Sequence, residues 1–170
     1  MFGPRKVRFA VKYVAAILLI WSASDRCTLA QIPLRADDWK NGIPFQVNRT
    51  FGAILIRAQV NQRYATLIVD TGSSHTILSP AVMQVYPQSL EQAPVSANGS
   101  GLVGTAGWAE ATVEIGAVTW IDRRVLVMND FQDISNSMKQ KIDGILGADL
   151  LREFSVVVID YKHRRLVLLR

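Results

Sequence analysis

The sequence is poor in the side chains that disulfide, thiol and metal chemistry need. Cys27 is the only cysteine, and it lies in an N-terminal segment that we expect to be removed, so the mature chain would have neither a disulfide nor a reactive thiol. The two histidines, His75 and His163, are far apart, and carboxylates at zinc-binding spacings do not accompany them. We therefore expect no metal and no cofactor, and a fold that depends on its apolar core.

Apolar runs of membrane-spanning length are also missing near the N-terminus. The run from Tyr13 to Ala23 is 11 residues, whereas a membrane-spanning helix needs about 20. Four cations precede this run and Thr28-Leu29-Ala30 follows it, an order that is typical of a secretory signal peptide. We predict a signal peptide over residues 1–30 that is cleaved after Ala30. The alternative is an uncleaved N-terminal anchor that tethers the protein through residues 7–23. In both cases the protein is exported, to the periplasm or out of the cell.

A charge excess of either sign is absent once that segment is removed. Residues 1–30 hold five of the 19 basic and one of the 14 acidic residues, so residues 31–170 carry 14 basic and 13 acidic residues, a net charge of +1. The basic character of the whole chain therefore comes largely from the segment, and charge gives no support to nucleic-acid binding. We expect no nucleic-acid partner.

Short apolar segments separated by turn residues make up the rest of the chain. Residues 31–44 form a predicted extended lead-in, and residues 45–170 form one predicted domain. The pattern predicts an all-β fold, closed or sandwich-like, with a short helix from Pro80 to Tyr86, a glycine-rich loop or hairpin over 87–107 and a polar loop over 129–141. The predicted strands cover residues 53–60, 64–69, 75–79, 108–115, 118–128, 154–160 and 166–170.

The stretch "ATLIVDTGSSHTILS", residues 65–79, places an acid at the end of an apolar strand. Burying an ionised carboxylate without partners is strongly unfavourable, so Asp70 needs a reason to be there. Gly72 lets the backbone approach another segment closely, and the neighbouring hydroxyls of Thr71, Ser73 and Ser74 can stabilise or orient a carboxylate. A carboxylate held in this way is suited to activating water.

One carboxylate is not enough for peptide-bond hydrolysis by acids, because one group must take a proton from water while another gives one to the carbonyl oxygen. The sequence holds no second equivalent of Asp70. Asp143-Gly144 lacks the hydroxyl residue between acid and glycine, and the other aspartates considered, Asp122, Asp149 and Asp160, are not followed by Ser/Thr-Gly. A two-fold homodimer would supply the second acid, since its axis places identical residues face to face.

The segments "IVDTGSSHTIL" and "DGILGADLL" together resemble the aspartic proteases of the pepsin and retroviral type, and the single copy is similar to a retropepsin-like protein. The closing "VVVIDYKHRRLVLL" also looks like the end of bacterial relatives. The resemblance implies a single-lobe, acid-protease-like closed β barrel with one or two short helices. It also implies an aspartic endopeptidase that acts on peptide or protein substrates as a homodimer.

The resemblance also implies a role for each matching residue. Asp70 would be the catalytic acid, Thr71 would bond across the dimer axis, Gly72 would let substrate backbone pass, and Ser73 would orient the outer carboxylate oxygen. An apolar-apolar-Gly element would support the site from beneath, and a glycine-rich flap would close over a bound peptide. The supporting residues are Ile145, Leu146 and Gly147, and the flap residues are Gly99, Gly101, Gly104, Gly107 and Trp108.

Two positions depart from the retroviral pattern. Retroviral proteases usually have an acidic residue two positions after the glycine and an arginine directly after the apolar-apolar-Gly element, and the two pair to brace the dimer. Ser74 and Ala148 stand at these positions here. Because both partners are absent together, no buried charge is left unpaired, but the retroviral mode of dimer contact is not supported.

Other interpretations of the same residues stay open. Asp70 can also be a turn residue at a strand end, and Trp108 and Trp120 suit core or flap packing better than ligand binding. His75 suits a packed or half-exposed strand position, and His163 a solvated basic turn. The whole domain can be a catalytically inactive, monomeric peptide-binding module with the same fold. A further alternative is a structural partner that uses the strand "LVLLR" as an exposed edge.

Overall fold

Hairpins with tight turns organise most of the chain. We analysed a computed structural model, which describes residues 40–93, 105–129 and 131–170. Within these residues the strands are β1 Ile43–Val47, β2 Ile54–Val60, β3 Arg63–Val69, β4 Ile77–Leu78, β5 Glu91–Gln92, β6 Ala106–Ile115, β7 Val118–Met128, β8 Gly144–Leu146, β9 Val156–Asp160 and β10 Arg165–Leu169. The α-helices are α1 Pro80–Met83, α2 Phe131–Met138 and α3 Ala148–Leu151, and Pro87–Ser89 form a 3-10 turn.

Turn residues in the left-handed region explain two of the hairpins. Asn61 and Gln62, between β2 and β3, have φ of 47° and 66°, as a two-residue hairpin turn of this hand requires. Gly116, between β6 and β7, has φ of 61°, which costs a glycine little. Both turns lie in gaps between predicted strands, 61–63 and 116–117.

Six strands close into a barrel in the order β2-β3-β8-β4-β7-β6, because β6 pairs back onto β2 at Val60 and Val113. Two of the pairings in this ring are parallel, β3 with β8 and β4 with β7, and the others are antiparallel. Outside the ring, β5 extends the sheet beyond β6, and β1, β10 and β9 extend it beyond β2. The predicted closed β barrel with few short helices is confirmed.

Apolar side chains cover both faces of the barrel wall. Successive residues of β3 alternate between two core clusters: Leu67 and Val69 pack in the first, and Ile68 packs against the second. Val125 and Leu126 of β7 divide in the same way. The second cluster is covered by α2, whose Phe131 is 3% exposed. Neighbouring residues of one strand can therefore both be buried.

The structure corrects several of the predicted elements. The polar loop predicted over 129–141 contains helix α2, because a narrow apolar stripe on mostly polar residues is enough to pack one face. The strand predicted over 75–79 is only Ile77–Leu78, and the helix predicted to reach Tyr86 ends at Met83, where Gln84 adopts φ of 56°.

The alternative of an exposed edge at "LVLLR" is wrong. Strand β10 pairs with β9 along its whole length and with β1 at Arg165 and Leu166, so β9 is the terminal strand of the sheet.

Some predictions lie outside the described residues. These are the signal or anchor over 1–30 with its tether at 7–23, most of the lead-in, and the flap glycines Gly99, Gly101 and Gly104. In the part of the chain that the structure describes, no helix is long and apolar enough to cross a membrane.

Candidate active site

Asp70 follows β3 directly and is held by backbone bonds on both sides. Its N–H donates to the carbonyl oxygen of Leu146 at 3.1 Å, which continues the parallel pairing of β3 with β8. Its carboxylate Oδ1 accepts the N–H of Gly72 at 2.8 Å, and its carbonyl oxygen accepts the N–H of Ser73 at 3.2 Å. Asp70 is half-buried, whereas Thr71 and Gly72 are exposed. The carboxylate is thus fixed at one oxygen in a loop that faces outward.

Close backbone contacts explain the two glycines of the site. A Cβ on Gly72 would lie 3.1 Å from Oδ1 of Asp70 and would crowd the carboxylate. A Cβ on Gly147 would lie 2.4 Å from the carbonyl carbon and oxygen of His75, where no real side chain fits. The loop of Asp70 and the turn at Gly147 therefore touch backbone to backbone.

Three further hydrogen bonds join these two segments through residues that the sequence pattern did not single out. The Thr76 N–H donates to Asp149 Oδ2 at 2.9 Å, and the Thr76 hydroxyl donates to Asp149 Oδ1 at 2.7 Å. The hydroxyl oxygen accepts the N–H of Gly147 at 3.1 Å. Asp149 was set aside in the sequence because no Ser/Thr-Gly follows it. The only available signal was its place at the start of the apolar "DLL" turn.

The predicted site residues come together in part. Asp70, Thr71, Gly72 and Ser73 form one loop, and the predicted support residues Ile145, Leu146 and Gly147 lie against it. Within the single chain, the Ser73 hydroxyl donates to the carbonyl oxygen of His75 at 2.7 Å, and the contact to the Asp70 carboxylate is made by a backbone N–H. Of the predicted flap residues, Gly107 and Trp108 belong to β6.

A group of aromatic and charged side chains lies beside the loop. The His75 ring meets the Trp108 ring edge-on, with centroids 5.2 Å apart, and its Nδ1 lies 2.9 Å from the Ser74 hydroxyl. The Arg124 guanidinium lies over the Trp108 ring, 4.5 Å from the ring centroid, in a cation–π contact. It also forms an ion pair with Glu91 at 3.1 Å. His75 and Trp108 are both half-buried, and the buried Trp120 packs in the first core. Trp120 is therefore a core residue and Trp108 packs against the second core cluster, whereas His75 lies in the bend before β4 and not in a strand.

One cavity of the described residues lies away from the Asp70 loop. It measures about 600 Å³ and includes Asp143 and Lys141 in its lining, together with residues of α1 and α2. Asp143 Oδ2 accepts the N–H of Thr66, and its other oxygen pairs with Lys141 at 3.0 Å. Because Thr66 comes four residues before Asp70 in an extended strand, it lies roughly 13 Å away along β3. Chemistry favours the Asp70 loop over this cavity as the site, since both Asp143 oxygens already have partners.

No group of three or more His, Cys, Asp or Glu side chains converges as a metal site among the residues that the structure describes. The Asp70 loop itself presents carboxylate, hydroxyl and backbone N–H groups.

Comparison with known proteins identifies the class. The family model for aspartyl proteases matches residues 56–150, which is more than half of the chain. The chain therefore belongs to the aspartyl protease family. No curated protein matches the chain.

Three solved structures are similar to this chain, and the first of them shows the same fold. The crystal structure of a retropepsin-like aspartic protease from Rickettsia conorii is 21% identical, covers 75% of this chain and 89% of its own, and superposes with a TM-score of 0.54. The retroviral protease-like domain of Ddi1 from Leishmania major is 18% identical over 68% of this chain and 87% of its own, with a TM-score of 0.47. The EIAV protease, complexed with the inhibitor HBY-793, is 18% identical, covers 62% of this chain and 90% of its own, and has a TM-score of 0.40. The retropepsin-like resemblance noted in the sequence is confirmed.

Proposed function

We propose that this chain is an aspartic endopeptidase in which Asp70 residues of two chains share the work of peptide hydrolysis. The observation that carries the proposal is the Asp70 loop itself, where a half-buried carboxylate is held at one oxygen by the Gly72 N–H in a member of the aspartyl protease family.

The chemistry follows from two carboxyls that share one proton. The ionised carboxylate removes a proton from a water molecule as the water oxygen attacks the peptide carbonyl carbon, and the protonated partner donates its proton to the carbonyl oxygen. Collapse of the tetrahedral adduct returns a proton to the leaving nitrogen and breaks the C–N bond. Like charges about 3 Å apart do not ionise together, which keeps one proton in the pair.

The second Asp70 would come from a second copy of the chain. Thr71 and Gly72 are exposed at the tip of the loop, which leaves this surface open to an identical loop across a two-fold axis. Thr71 would bond across that axis. An extended peptide would then lie across both loops and hydrogen-bond through its main chain.

Cleavage of a complex peptide mixture by wild-type protein and by Asp70→Asn tests the catalytic role. We expect the wild type to cleave internal bonds and the variant to lose cleavage. Asp122→Asn is the matched control, because it makes the same chemical change at an exposed residue whose positive φ asparagine tolerates. Equal cleavage by wild type and Asp70→Asn would exclude the proposal.

A non-catalytic peptide-binding module is the second candidate. The observation that favours it is the lack of a second Asp-Thr-Gly in the sequence, combined with uncharged Ser74 and Ala148 where retroviral proteases carry their bracing pair. Such a module would stay monomeric at high micromolar concentration in light scattering and would bind peptides without cleaving them.

We also propose that the protein is exported, on the strength of the basic, apolar and small-residue order of residues 1–30. Mass spectrometry of the N-terminus of protein recovered from cell fractions tests this. A mature chain that begins at Gln31 outside the cytoplasm is the expected result, a full-length chain in the membrane fraction indicates the anchor, and a full-length chain in the cytoplasm refutes export.

A further inference from the structure

A buried threonine and a half-buried aspartate, Thr76 and Asp149, join the segment after the Asp70 loop to the first turn of α3. Thr76 is 0% exposed, and both its N–H and its hydroxyl donate to the carboxylate of Asp149. The same hydroxyl oxygen accepts the N–H of Gly147. We propose that Thr76 and Asp149 are positioning residues for Asp70, which hold the catalytic loop in place within each single chain. The inference rests on the peptidase function proposed above.

The pair acts on Asp70 through the backbone on either side of Gly147. Leu146 precedes Gly147, and its carbonyl oxygen accepts the N–H of Asp70 at 3.1 Å. Ala148 follows Gly147, and its N–H donates to the carbonyl oxygen of Ser73 at 2.8 Å. The Thr76 hydroxyl accepts the N–H of Gly147 and so holds the backbone on both sides of this glycine. It therefore also holds the two hydrogen bonds that position Asp70 and Ser73. None of the side-chain hydrogen bonds of Thr76 reaches the carboxylate of Asp70.

Each polar atom of the pair has a defined partner. The hydroxyl donates once and accepts once, and the two carboxylate oxygens of Asp149 each accept from Thr76. Loss of the hydroxyl would leave the N–H of Gly147 and an oxygen of Asp149 without these partners in a closely packed place. A valine has the shape of threonine without its hydrogen bonds, whereas a serine keeps the hydroxyl.

The pair also spans the two segments that carry Ser74 and Ala148. Retroviral proteases place an ionic brace at these two positions, and both residues are uncharged here. The bonds of Thr76 and Asp149 join the same two segments inside one chain. The loop geometry is therefore complete before a second chain arrives.

Asp143 provides a matched control. It is 4% exposed and accepts the backbone N–H of Thr66 in the middle of β3, whereas Asp149 accepts the backbone N–H of Thr76, after the Asp70 loop. Asp143→Asn and Asp149→Asn thus make the same change at two structural carboxylates, of which only one is joined to the Asp70 loop. Thr76→Val and Thr76→Ser complete the set.

Two measurements separate positioning from plain stability. The first is steady-state cleavage of a peptide that the wild type cuts, with kcat and KM determined separately. The second is amide hydrogen exchange by NMR at Asp70 and Ala148, whose acceptors, Leu146 and Ser73, no variant removes. Exchange reports on the loop whether or not the protein is a peptidase.

We expect Thr76→Val to lower kcat on the order of tenfold to a hundredfold with KM changed by no more than about twofold, because small displacements of a catalytic group cost rate rather than binding. Exchange at Asp70 and Ala148 should accelerate relative to core amides such as Val113. Thr76→Ser should restore both readouts. Asp149→Asn should show a smaller loss than Thr76→Val, because an amide keeps one acceptor. Asp143→Asn should change the melting temperature without either effect.

The outcomes are distinguishable. If Thr76→Val behaves like Asp143→Asn in kcat and in exchange, the positioning role is wrong. If the wild type cleaves no peptide, the proposed function fails, and the exchange rates alone decide whether the pair holds the loop. If Thr76→Val does not fold, the comparison of Asp149→Asn with Asp143→Asn gives the same decision.

Discussion

Gly147 shows how one absent Cβ sets the distance between the two segments of the candidate site. A Cβ here would lie 2.4 Å from His75 and 2.7 Å from Thr76, and the atoms it meets belong to the backbone, which cannot rotate away. We expect Gly147→Ala to lower the free energy of unfolding by about 1–3 kcal/mol or more, as overpacking of a closed site does. Urea denaturation measures the change.

Gly52 provides the comparison for this prediction. Its φ is 69°, and a Cβ at this position would meet nothing within 4 Å, so only backbone conformation disfavours a side chain. Because asparagine tolerates this region, Gly52→Asn should stay within about 1 kcal/mol of the wild type. Equal losses for the Gly147 and Gly52 variants would contradict the steric explanation.

Asp160 gives a pH-dependent prediction at the same scale. The backbone N–H of His163, and next the His163 side chain, bond to the carboxylate and hold the pKa of Asp160 below its usual value. A lowered folded-state pKa contributes stability that is present above the unfolded pKa of about 3.9 and is lost as the pH falls through the lower folded value. His163 is therefore bonded to Asp160, so the prediction of a merely solvated turn was incomplete.

The expected result is a difference in unfolding free energy between wild type and Asp160→Asn that is present at about pH 5 and shrinks below about pH 4. Urea titrations at a series of pH values measure it. In the His163→Ala variant the backbone N–H of residue 163 still bonds to Asp160. Adding Asp160→Asn to that variant should therefore still cause part of the difference. A difference that does not change down to pH 3 would contradict the assignment.

The sequence motif identified Asp70, Gly72 and Gly147 because their chemistry is local: an acid after an apolar strand, and glycines where a backbone must come close. Thr76 and Asp149 lie within the two motif segments, but their pairing could not be found in this way, since they meet across 73 positions of the chain. The sequence alone does not distinguish an aspartate that accepts a hydrogen bond from a distant N–H from an aspartate that is exposed to solvent.

Helix α2 is the longest element that sequence reasoning missed. Its eight residues, "FQDISNSM", are mostly polar, and only Phe131, Ile134 and Met138 form the stripe that packs on the second core. The spacing i, i+3, i+7 is helical, but three apolar residues among polar ones are also common in loops. Packing against the barrel therefore decides the structure of this segment more than propensity does.

Phe131→Ala tests whether that stripe anchors α2. Phe131 is 3% exposed, so truncation should lower the free energy of unfolding by about 3–5 kcal/mol. Gln132→Ala, one residue on and exposed, should stay within about 0.5 kcal/mol. Chemical denaturation of the two variants measures both values, and a small loss for Phe131→Ala would mean that α2 contributes little to the second core.

Strands were more predictable than helices, because alternating or continuous apolar runs and turn residues mark them. The predicted bounds of β7, 118–128, are those observed, and β2 and β3 begin within one residue of the predicted positions. Barrel closure was not predictable in detail. The parallel pairings of β3 with β8 and of β4 with β7 join segments far apart in sequence, and β4 is too short to carry a pattern.

At the scale of the whole molecule, the part of the chain that the structure describes has one Asp-Thr-Gly loop on one barrel. Aspartic chemistry needs two acids, and the sequence contains one Asp-Thr-Gly. The other buried acid of interest, Asp143, is bonded to Thr66 and Lys141 and cannot approach Asp70 without losing both partners. The proposed peptidase would therefore be active only as a pair of chains, and its rate would depend on which chains are paired.

Mixing of subunits tests this dependence. Wild-type and Asp70→Asn chains are unfolded together in urea and refolded at a concentration where light scattering gives the mass of a dimer. With equal amounts, about half of the wild-type chains pair with a variant, so the cleavage rate per wild-type chain should fall to about half, and at a ninefold excess of variant to about a tenth. Wild type refolded with the same mass of an unrelated protein is the control. A rate per wild-type chain that is unaffected by the variant would show that each chain acts alone, because a shared site cannot function with only one of its two carboxylates.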